Sequence, residues 1–578
     1  MARKINYDNW SREELIKELR RIKETKYGLV WHRDLPEGKI DTLINTDART
    51  PNEMFPNEMA GKPFPILKEV KKREINGDKN KPVNLLIEGD NYHSLAVLNF
   101  THQEAIDLIY IDPPYNTGNK DFKYNDNFVE QEDPFRHSKW LSFMEKRLKL
   151  AHKLLKPNGM IFVSIDDHEQ APLRMLCDEI FNENNFVAQL VWKKKYTGGK
   201  HARHYVDMHE YILVYAKVRN LIGDVLMDRP DPEKGKFTEI DEYLSERGKY
   251  YIRPLKSNLA ERKNLVYPIE TPDRKSITTQ WLVGKKTFEE LLQDGRILFK
   301  KKRNGDYQVY KKYYENDGEG KVKVPSLILE FPNTEAKIEL KELFNVEEGR
   351  ENVLYTVKPV NLVKYLLKPF ALSRSVILDF FAGSGTTGQA VLELNDEDDG
   401  ARQFILCTNN EELDGNGNKV EHKICTDVCY PRLKKVIKGY NNAKDGNIAG
   451  LGGSLKYYVC DFVEAEPTDR NKRKLVDEST EMLCIRENAF ELVHDENEFK
   501  IFKNNNNYLG IIFYEEAINY FKKAIENING HFNTYVFSLG DDPHEKQFDD
   551  VKDKVTLCAI PEVILKVYRE IFKKIPCG

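Results

Sequence analysis

Two stretches of this 578-residue chain alternate continuous apolar runs with helical patterns, and this alternation constrains the fold more than any other feature. Apolar runs begin near Asn84, Ala105 and Met160 in the first stretch, and the second stretch has runs over 376–380 and 404–408. Runs that are apolar at every position predict strands buried on both faces, as in a parallel sheet covered by helices. We therefore predict an α/β fold built from both stretches.

A basic segment separates the two stretches. From Val191 to Lys323 there are 29 basic and 20 acidic residues, although the whole chain has a net charge of −4. The alternation of strands and helices also stops between about Leu190 and Glu351, which predicts a separate domain. A local basic surface on a chain that is not globally basic is typical of a nucleic-acid interface.

Candidates for phosphate contact stand in two parts of this segment. A solvated charged face is the alternative for each run. The candidates are Lys193, Lys194, Lys195, Lys200 and Arg203, followed by Lys300, Lys301, Lys302 and Arg303.

The tetrapeptide Asp112-Pro113-Pro114-Tyr115 directly follows an apolar run, where open α/β sheets place their ligands. The two prolines make the turn rigid. A carboxylate, a carbonyl and an aromatic ring within four residues suit a planar ring with an exocyclic amino group. Asp112 and the Pro113 carbonyl would accept the amino hydrogens while Tyr115 stacks on the ring. A proline-rich turn with a surface tyrosine is the alternative.

A loop just beyond the tetrapeptide contains Phe122 and Tyr124. Its aromatic side chains could close over a bound ring, and a plain surface loop fits equally well.

A glycine-bearing turn follows the apolar run over 376–380. It is not a phosphate loop of the Walker type, because no Gly-Lys-Ser/Thr follows, and it lacks the third glycine of the dinucleotide fingerprint. Its acid and small hydroxyls suit a ligand with an amino acid and a ribose, whereas an ordinary tight turn is the alternative. The turn contains Asp379, Phe380, Phe381, Ala382, Gly383, Gly385 and Thr386.

Together and in this order, the two motifs resemble those of the amino-group DNA methyltransferases of the β class. The resemblance extends to the adenine methyltransferase (Mod) subunits of type III restriction-modification systems and covers most of residues 20 to 440. Further segments that resemble the family are Lys26 to Trp31, Glu88 to Asn91, Ile111 to Gly118, Ser164 to Glu169, and Lys358-Pro359.

The resemblance implies a Rossmann-like sheet of S-adenosylmethionine-dependent methyltransferases, circularly permuted and interrupted by an α+β target-recognition domain. Read as a circle, the chain places Asp90, Asp112 and Glu411 along one edge of the sheet. The implied domains are an N-terminal helical arm and wrapping loop (1–80), a catalytic half (81–189), a target-recognition domain (190–355), a cofactor half (356–443), and a C-terminal domain for dimerisation or partner docking (444–578).

The resemblance also implies a function, namely sequence-specific methylation of adenine N6 in double-stranded DNA, with the target base flipped out of the duplex. The cofactor would be S-adenosylmethionine, held at its methionine end by the Asp379 to Thr386 turn. Glu411 would bind the ribose, Asp90 the adenine, and Lys358-Pro359 the cofactor carboxylate. A helix-capping role is the alternative for Asp90, and an exposed loop glutamate for Glu411.

The family implies a homodimer and a partner restriction subunit with helicase and nuclease activity. Two alternatives stay open: transfer to cytosine N4, and a chain that serves mainly as the specificity module of such a partner. The recognition sequence and the residues that read it are not assigned.

Composition excludes other classes of protein. No window approaches 18 consecutive apolar residues and the N-terminus lacks a secretory signal, so we expect a cytoplasmic protein without membrane contact. Cys425 and Cys429 lack the further ligands that a zinc site needs, so we expect no metal.

Overall fold

The structure is a computed structural model. It describes residues 11–12, 15–16, 31, 44–48, 53–54, 63–77, 81–119, 121–124, 127–196, 204–228, 235–258, 260, 262–317, 321–345, 357–410, 423–442, 446–463, 469–504, 507–537 and 544–560. Most of the N-terminal arm and wrapping loop predicted for residues 1–80 lies outside these residues.

A ten-stranded sheet dominates the larger of two compact units, which comprises residues 1–223 and 326–578. Its strands are β1 (Phe64–Glu69), β2 (Val83–Glu88), β3 (Ile106–Ile111), β4 (Leu155–Ile165), β5 (Phe186–Lys193), β6 (His209–Ala216), β7 (Leu327–Ile328), β8 (Val376–Asp379), β9 (Gln403–Thr408) and β10 (Ser454–Val463). Their order across the sheet is β1-β10-β2-β9-β8-β3-β4-β6-β5-β7.

Strands from the two predicted stretches interleave in this sheet. Strand β8 lies between β9 and β3, and Ile377 and Leu378 pair in parallel with Leu108 and Ile109. The strands β10, β2, β9, β8, β3 and β4 are all parallel to one another. The predicted permuted α/β sheet is therefore confirmed.

Helices cover both faces of the sheet. Side chains alternate between two cores, with Ile109 and Ile111 in one and Leu108 and Tyr110 in the other. The helices are α1 (Asn91–Thr101), α2 (Arg136–Leu154), α3 (Gln170–Phe181), α4 (Asn333–Phe344), α5 (Val360–Leu367), α6 (Thr386–Asp398), α7 (Tyr430–Lys438) and α8 (Asp469–Glu487). Helices α1, α2, α3 and α8 contribute to the first core, and α4 to α7 contribute to the second.

The sheet continues past the point where the alternating sequence pattern stops. Strands β5 and β6 are antiparallel to each other, β6 is antiparallel to β4, and β7 pairs with β5. The catalytic half was predicted to end at residue 189, in the middle of β5. The Lys-rich segment after β5 hid this part of the sheet, because charge at strand ends obscures the apolar pattern of the strand itself.

The second compact unit comprises residues 224–325 and has its own small core. Leu255, Tyr267, Trp281, Phe288 and Val309 form the centre of that core. The unit contains the three-stranded sheet Tyr250–Pro254, Tyr307–Tyr314 and Ile297–Lys301, the pairs Val266–Glu270 with Ser276–Gln280 and Leu226–Asp228 with Lys321–Lys323, and the helices Leu244–Arg247 and Lys285–Gln293.

The C-terminal part of the chain carries a second, five-stranded sheet with the helix Ile518–Ile525 beside it. Phe499, Phe521 and Phe532 pack together in the core of this sheet. The strands of this sheet are Glu491–Asp495, Phe499–Asn504, Asn507–Ile512, His531–Val536 and Val555–Cys558. Short strand pairs elsewhere in the chain are Lys123–Tyr124 with Asn127–Phe128 and Gly439–Asn442 with Gly446–Ala449.

Among the residues described, no helix is both long enough and apolar enough to cross a bilayer.

A buried arginine ties the end of α6 and the loop after α5 to the start of β9, and its removal should destabilise the fold. The Arg402 guanidinium donates to the carbonyl of Ala371 (Nε at 3.0 Å) and to both carboxylate oxygens of Asp398 (2.7 and 2.6 Å). Because Arg402→Met leaves these acceptors without their partner, we expect a loss of about 3 kcal/mol in the free energy of unfolding. Urea unfolding measures this loss.

The matched control is Arg374→Met, which removes an exposed arginine from the neighbouring loop. Its cost should stay within about 0.5 kcal/mol. Equal losses for the two variants would contradict a structural role for the Arg402 contacts.

Candidate active site

Three of the predicted segments leave the sheet at the same edge. Asp90 follows the carboxyl end of β2, Asp379 ends β8, and Asp112 follows the carboxyl end of β3. Strands β8 and β3 are neighbours, and the side-chain amide of Asn91 donates to the Phe380 carbonyl at 2.8 Å. The carboxyl ends of parallel strands are where α/β sheets hold ligands. The tetrapeptide and the glycine turn therefore share one candidate site.

The tetrapeptide is held from behind by buried polar groups. The indole N–H of Trp140 donates to the Pro114 carbonyl at 2.7 Å. Asn116 follows the tetrapeptide with a φ of 58°, a backbone conformation that asparagine tolerates better than most residues. Its side-chain amide donates to Glu169 Oε1 at 2.5 Å. These contacts with buried side chains fix the orientation of the tetrapeptide.

Lys358 lies against the tetrapeptide. Its Nζ is 3.0 Å from Asp112 Oδ1 and 3.0 Å from Glu210 Oε2. It also donates to the Tyr115 hydroxyl at 2.7 Å and lies 4.9 Å from the centre of the Tyr115 ring. The Tyr115 hydroxyl lies 2.9 Å from Asp112 Oδ1 and 3.0 Å from Glu210 Oε2. Because the hydroxyl has one proton, it donates a hydrogen bond to one of these carboxylates at a time. Four functional groups thus share one small space.

Burial and mutual attraction set the ionisation of this group. Burial raises the pKa of Asp112, an effect that the Lys358 ammonium opposes and Glu210 reinforces. Burial acts in the same direction on Glu210, but the ammonium groups of Lys358 and Lys194 hold its pKa below the usual value. Burial disfavours the charged form of Lys358, yet the two carboxylates raise its pKa. Lys358 is therefore a firmly charged cation between two acids.

The glycine turn is organised by Asp379. Its Oδ1 accepts from the Phe381 backbone N–H at 3.0 Å and its Oδ2 from the Thr387 hydroxyl at 2.5 Å. Burial raises the pKa of Asp379 to about 7, although both hydrogen bonds favour the ionised form. The turn thus contains a carboxyl group that titrates near neutral pH.

The two glycines are needed for different reasons. Gly385 has a φ of 84°, and a Cβ there would lie 3.0 Å from Cys429 Sγ, so the turn packs closely against the chain behind it. Gly383 also has a positive φ, but among the described residues a Cβ there would come within 4 Å only of the Phe381 carbonyl oxygen, at 3.8 Å. The described part of the chain therefore leaves room beside the Gly383 backbone that a side chain would fill.

Asp90 caps helix α1 and also faces a buried cation. Its Oδ1 accepts from the Tyr92 backbone N–H at 2.7 Å, so the capping alternative is confirmed. Arg147 Nη2 lies 3.4 Å from the same oxygen. The Asp90 side chain nevertheless stays 47% exposed at the edge of the sheet. Capping and ligand binding by Asp90 are compatible.

Several predicted residues have surroundings that the sequence did not indicate. Pro359 is the N-cap of α5, and the ammonium of Lys358 lies at the tetrapeptide instead of at this helix start. Phe122 is only 2% exposed and packs edge-on against Phe143, so the predicted closure of this ring over a base does not match its position. Tyr124 lies in a short strand, and Glu411 lies outside the described residues.

Some of the basic residues predicted to contact phosphate are exposed, and others are paired or lie outside the described residues. Lys194 is buried and paired with Asp207 at 2.6 Å and with Glu210 at 3.4 Å, so it belongs to the site network and is not presented to phosphate. Lys193 Nζ lies 4.8 Å from the centre of the Tyr196 ring. Lys200 and Arg203 lie outside the described residues. The exposed candidates are Lys195 and, at the end of a strand and in the turn after it, Lys300, Lys301, Lys302 and Arg303.

Sequence reasoning missed Glu210, Lys194 as its partner, and the buried Arg147. Glu210 stands in β6 beside the run Tyr211 to Ala216, where a carboxylate is costly unless it is paired. A lone acid at the edge of an apolar strand was the available signal. Which cation pairs with it depends on the order of strands in the sheet.

Comparison with known proteins agrees with this geometry. A family model of N6 and N4 methyltransferases, described as DNA methylase, matches residues 106–414, which is just over half of the chain. The chain is 34% identical to the StyLTI Mod subunit, a type III restriction-modification enzyme of Salmonella typhimurium, over 66% of this chain and 62% of that protein. It is 31% identical to the EcoPI Mod subunit of Escherichia phage P1, over 71% of each chain.

A third relative is the type II methyltransferase M.KpnI of Klebsiella pneumoniae. It is 34% identical over 62% of this chain and 88% of its own length. The region that the family model matches, residues 106–414, contains both the tetrapeptide and the glycine turn. This chain therefore belongs to the DNA methylase family of N6 and N4 methyltransferases.

Proposed function

We propose that this protein is a sequence-specific DNA methyltransferase that transfers a methyl group from S-adenosylmethionine to N6 of adenine, as the modification subunit of a type III restriction-modification system. The observation that carries the proposal is the shared edge of the sheet. The tetrapeptide Asp112 to Tyr115 and the glycine turn at 383–385 leave adjacent parallel strands and lie side by side. An amino acceptor and a methyl donor bound by these two segments would meet.

The tetrapeptide would activate the target amino group. The lone pair of an adenine amino group is delocalised into the ring, so the group is a weak nucleophile. Asp112 and the Pro113 carbonyl would accept its two hydrogens and direct the lone pair at the methyl carbon, while Tyr115 stacks on the ring. The contribution of these residues is positioning and electrostatic stabilisation, and no covalent enzyme intermediate is required.

The residues around the glycine turn fit S-adenosylmethionine. The room that the described residues leave beside Gly383 would admit a ligand against the backbone. Asp379 and Asp90 would offer carboxylates to a cationic ligand and to a hydrogen-bond donor. When bound, the cofactor would supply an electrophilic methyl group on a sulfonium centre. Asp379 and the turn would hold its methionine end, Asp90 its adenine and Glu411 its ribose.

A duplex hides the amino group of adenine, so the target base would have to be flipped out at a cost of a few kcal/mol. Exposed lysines of the basic segment, among them Lys195 and Lys300, would supply phosphate contacts that hold the deformed duplex. By analogy with the named Mod relatives, we include a homodimer, a restriction subunit as partner and cytoplasmic DNA as the substrate in the proposal.

Two other functions make different predictions. Transfer to cytosine N4 is chemically adjacent, and Asp112 at the first position of the tetrapeptide favours adenine over cytosine. A specificity module for a partner nuclease would bind DNA with little methylation of its own. Mass spectrometry of nucleosides from methylated DNA distinguishes the first alternative, and label transfer by the purified chain alone distinguishes the second.

The role of Asp112 is tested by Asp112→Ala. Because the variant loses the main acceptor for the target amino group, we expect methyl transfer to fall by about 10² to 10³-fold. Binding of the DNA, which depends on phosphate contacts, should change little. Transfer of label from tritiated S-adenosylmethionine and fluorescence anisotropy of a labelled duplex measure the two effects.

The matched control is Asp396→Ala, an exposed acid on α6. It should leave both quantities unchanged. Full methyl transfer by Asp112→Ala would rule out the proposed chemistry, and loss of DNA binding by Asp112→Ala would indicate damage to the fold.

The raised pKa of Asp379 predicts pH-dependent binding of the cofactor. With a pKa of about 7, Asp379 is largely protonated at pH 6 in the free protein, and a cationic ligand favours its ionised form. Binding therefore releases a proton below pH 7, and the affinity should rise as the pH rises from 6 to 8, by at most tenfold per unit. Isothermal titration calorimetry in buffers of different ionisation enthalpy measures affinity and proton release together.

Asp379→Asn is the control for this effect. It should bind S-adenosylmethionine more weakly, with an affinity that stays level over the same pH range. A level affinity for the unmodified protein would show that Asp379 does not ionise on binding.

A further inference from the structure

A buried lysine stands where the amino group of the target base is expected. Lys358 Nζ is 3.0 Å from Asp112 Oδ1 and 4.9 Å from the centre of the Tyr115 ring. Those are the carboxylate and the aromatic face that the proposed function assigns to the base. An exocyclic amino group and this ammonium therefore compete for the same acceptor.

The second carboxylate offers the lysine another partner. Glu210 Oε2 is 3.0 Å from Lys358 Nζ, equal to the distance from Nζ to Asp112. The side chains of Glu210 and Lys358 are 8% and 11% exposed, so neither is paired mainly with water. Lys358 can give up Asp112 and remain paired with Glu210 without becoming an isolated buried charge.

Glu210 is itself held in place by a second lysine. Lys194 Nζ lies 3.4 Å from Glu210 Oε1 and 2.6 Å from Asp207. Glu210 therefore uses one oxygen for Lys194 and the other for Lys358 and Tyr115. The row of alternating charges runs from Asp112 through Lys358, Glu210 and Lys194 to Asp207.

We propose that Lys358 and Glu210 are positioning residues for Asp112. The Lys358 ammonium favours the ionised form of Asp112 in the absence of a base, and Glu210 retains the ammonium when the target amino group takes its place at Asp112. This inference rests on the proposed methylation of an amino group. It adds two residues outside the tetrapeptide to those that control Asp112.

The titratable groups that face Asp112 determine the pH at which it ionises. They are Lys358, Glu210 and, more weakly, Asp379 on the neighbouring strand, together with the hydroxyls of Tyr110 and Tyr115. Burial raises the pKa of both tyrosines, which therefore stay neutral near pH 7. Lys358 lowers the pKa of Asp112 and Glu210 raises it. Removal of either charge should move the Asp112 titration, and the two removals should act in opposite directions.

The experiment compares pH profiles of kcat/KM for DNA, because this ratio reports the ionisation of groups before the base is bound. Saturating S-adenosylmethionine ensures that cofactor affinity does not contribute. In Lys358→Met the pKa of Asp112 rises. As the pH falls, its carboxylate is therefore protonated, and activity is lost, at a higher pH than in the unmodified protein. We expect the acid limb of the profile to move up by one unit or more. In Glu210→Gln a repelling charge is gone, and the acid limb should move to lower pH.

Two further variants separate charge from packing. Lys358→Arg keeps the cation and should hold the acid limb within half a unit of that of the unmodified protein. The double variant Lys358→Met/Glu210→Gln loses one charge of each sign and should return the limb toward its original position. A purely structural role predicts lower activity with no movement of the limb.

Base capture gives an independent readout. A duplex with 2-aminopurine at the target position fluoresces when the base leaves the stack. Glu210→Gln leaves Lys358 with Asp112 alone, so the lysine should compete better and the flipped signal should fall severalfold at fixed DNA concentration. Lys358→Met removes the competitor and should keep or increase the signal.

The outcomes distinguish this inference from the proposed function. If the unmodified protein does not methylate DNA, the proposed function fails and this inference with it. If the protein methylates DNA but the acid limbs of Lys358→Met and Glu210→Gln stay in place or move together, only the positioning role is overturned.

Discussion

Parallel hydrogen bonding between β3 and β8 is the interaction on which the site depends. The two strands are about 270 residues apart in the chain, and they pair at Leu108 with Ile377 and at Ile109 with Leu378. Parallel pairing puts both carboxyl ends at one edge of the sheet, so the tetrapeptide and the glycine turn emerge together. The Asp107 carboxylate reinforces this pairing by accepting from the Val376 backbone N–H at 2.8 Å.

The site combines groups that are costly to bury separately. Asp112, Glu210 and Lys358 would each lose much of their hydration energy, and their mutual contacts offset that loss. Such an arrangement has consequences for chemistry, because the ionisation of one member depends on the presence of the others. The glycine turn follows a different principle. Burial favours the neutral form of Asp379, two hydrogen bonds favour the ionised form, and no cation lies beside this carboxyl among the contacts that the structure describes.

Much of this architecture could be predicted from local patterns. The apolar runs identified β2, β3, β8 and β9 because a strand buried on both faces has no polar alternation to confuse it. The tetrapeptide and the glycine turn were recognisable because prolines and glycines restrict or relax the backbone in ways that few other residues can. Strands β5 and β6 were harder to recognise, since lysines at the end of β5 and in the segment after it resemble a solvated surface.

The order of motifs along the chain was enough to determine the family, the permuted sheet and the chemistry expected of the tetrapeptide, because these depend on local sequence and on the connections between strands. Only the tertiary structure decided the partners of the charged groups. In the sequence Lys358 precedes a helix, but in the structure it pairs with Asp112 and Glu210. In the sequence Lys194 is part of a basic run, but in the structure it pairs with the buried Glu210. Ion pairs form between side chains that the fold brings within a few ångströms, and sequence distance carries no information about that separation.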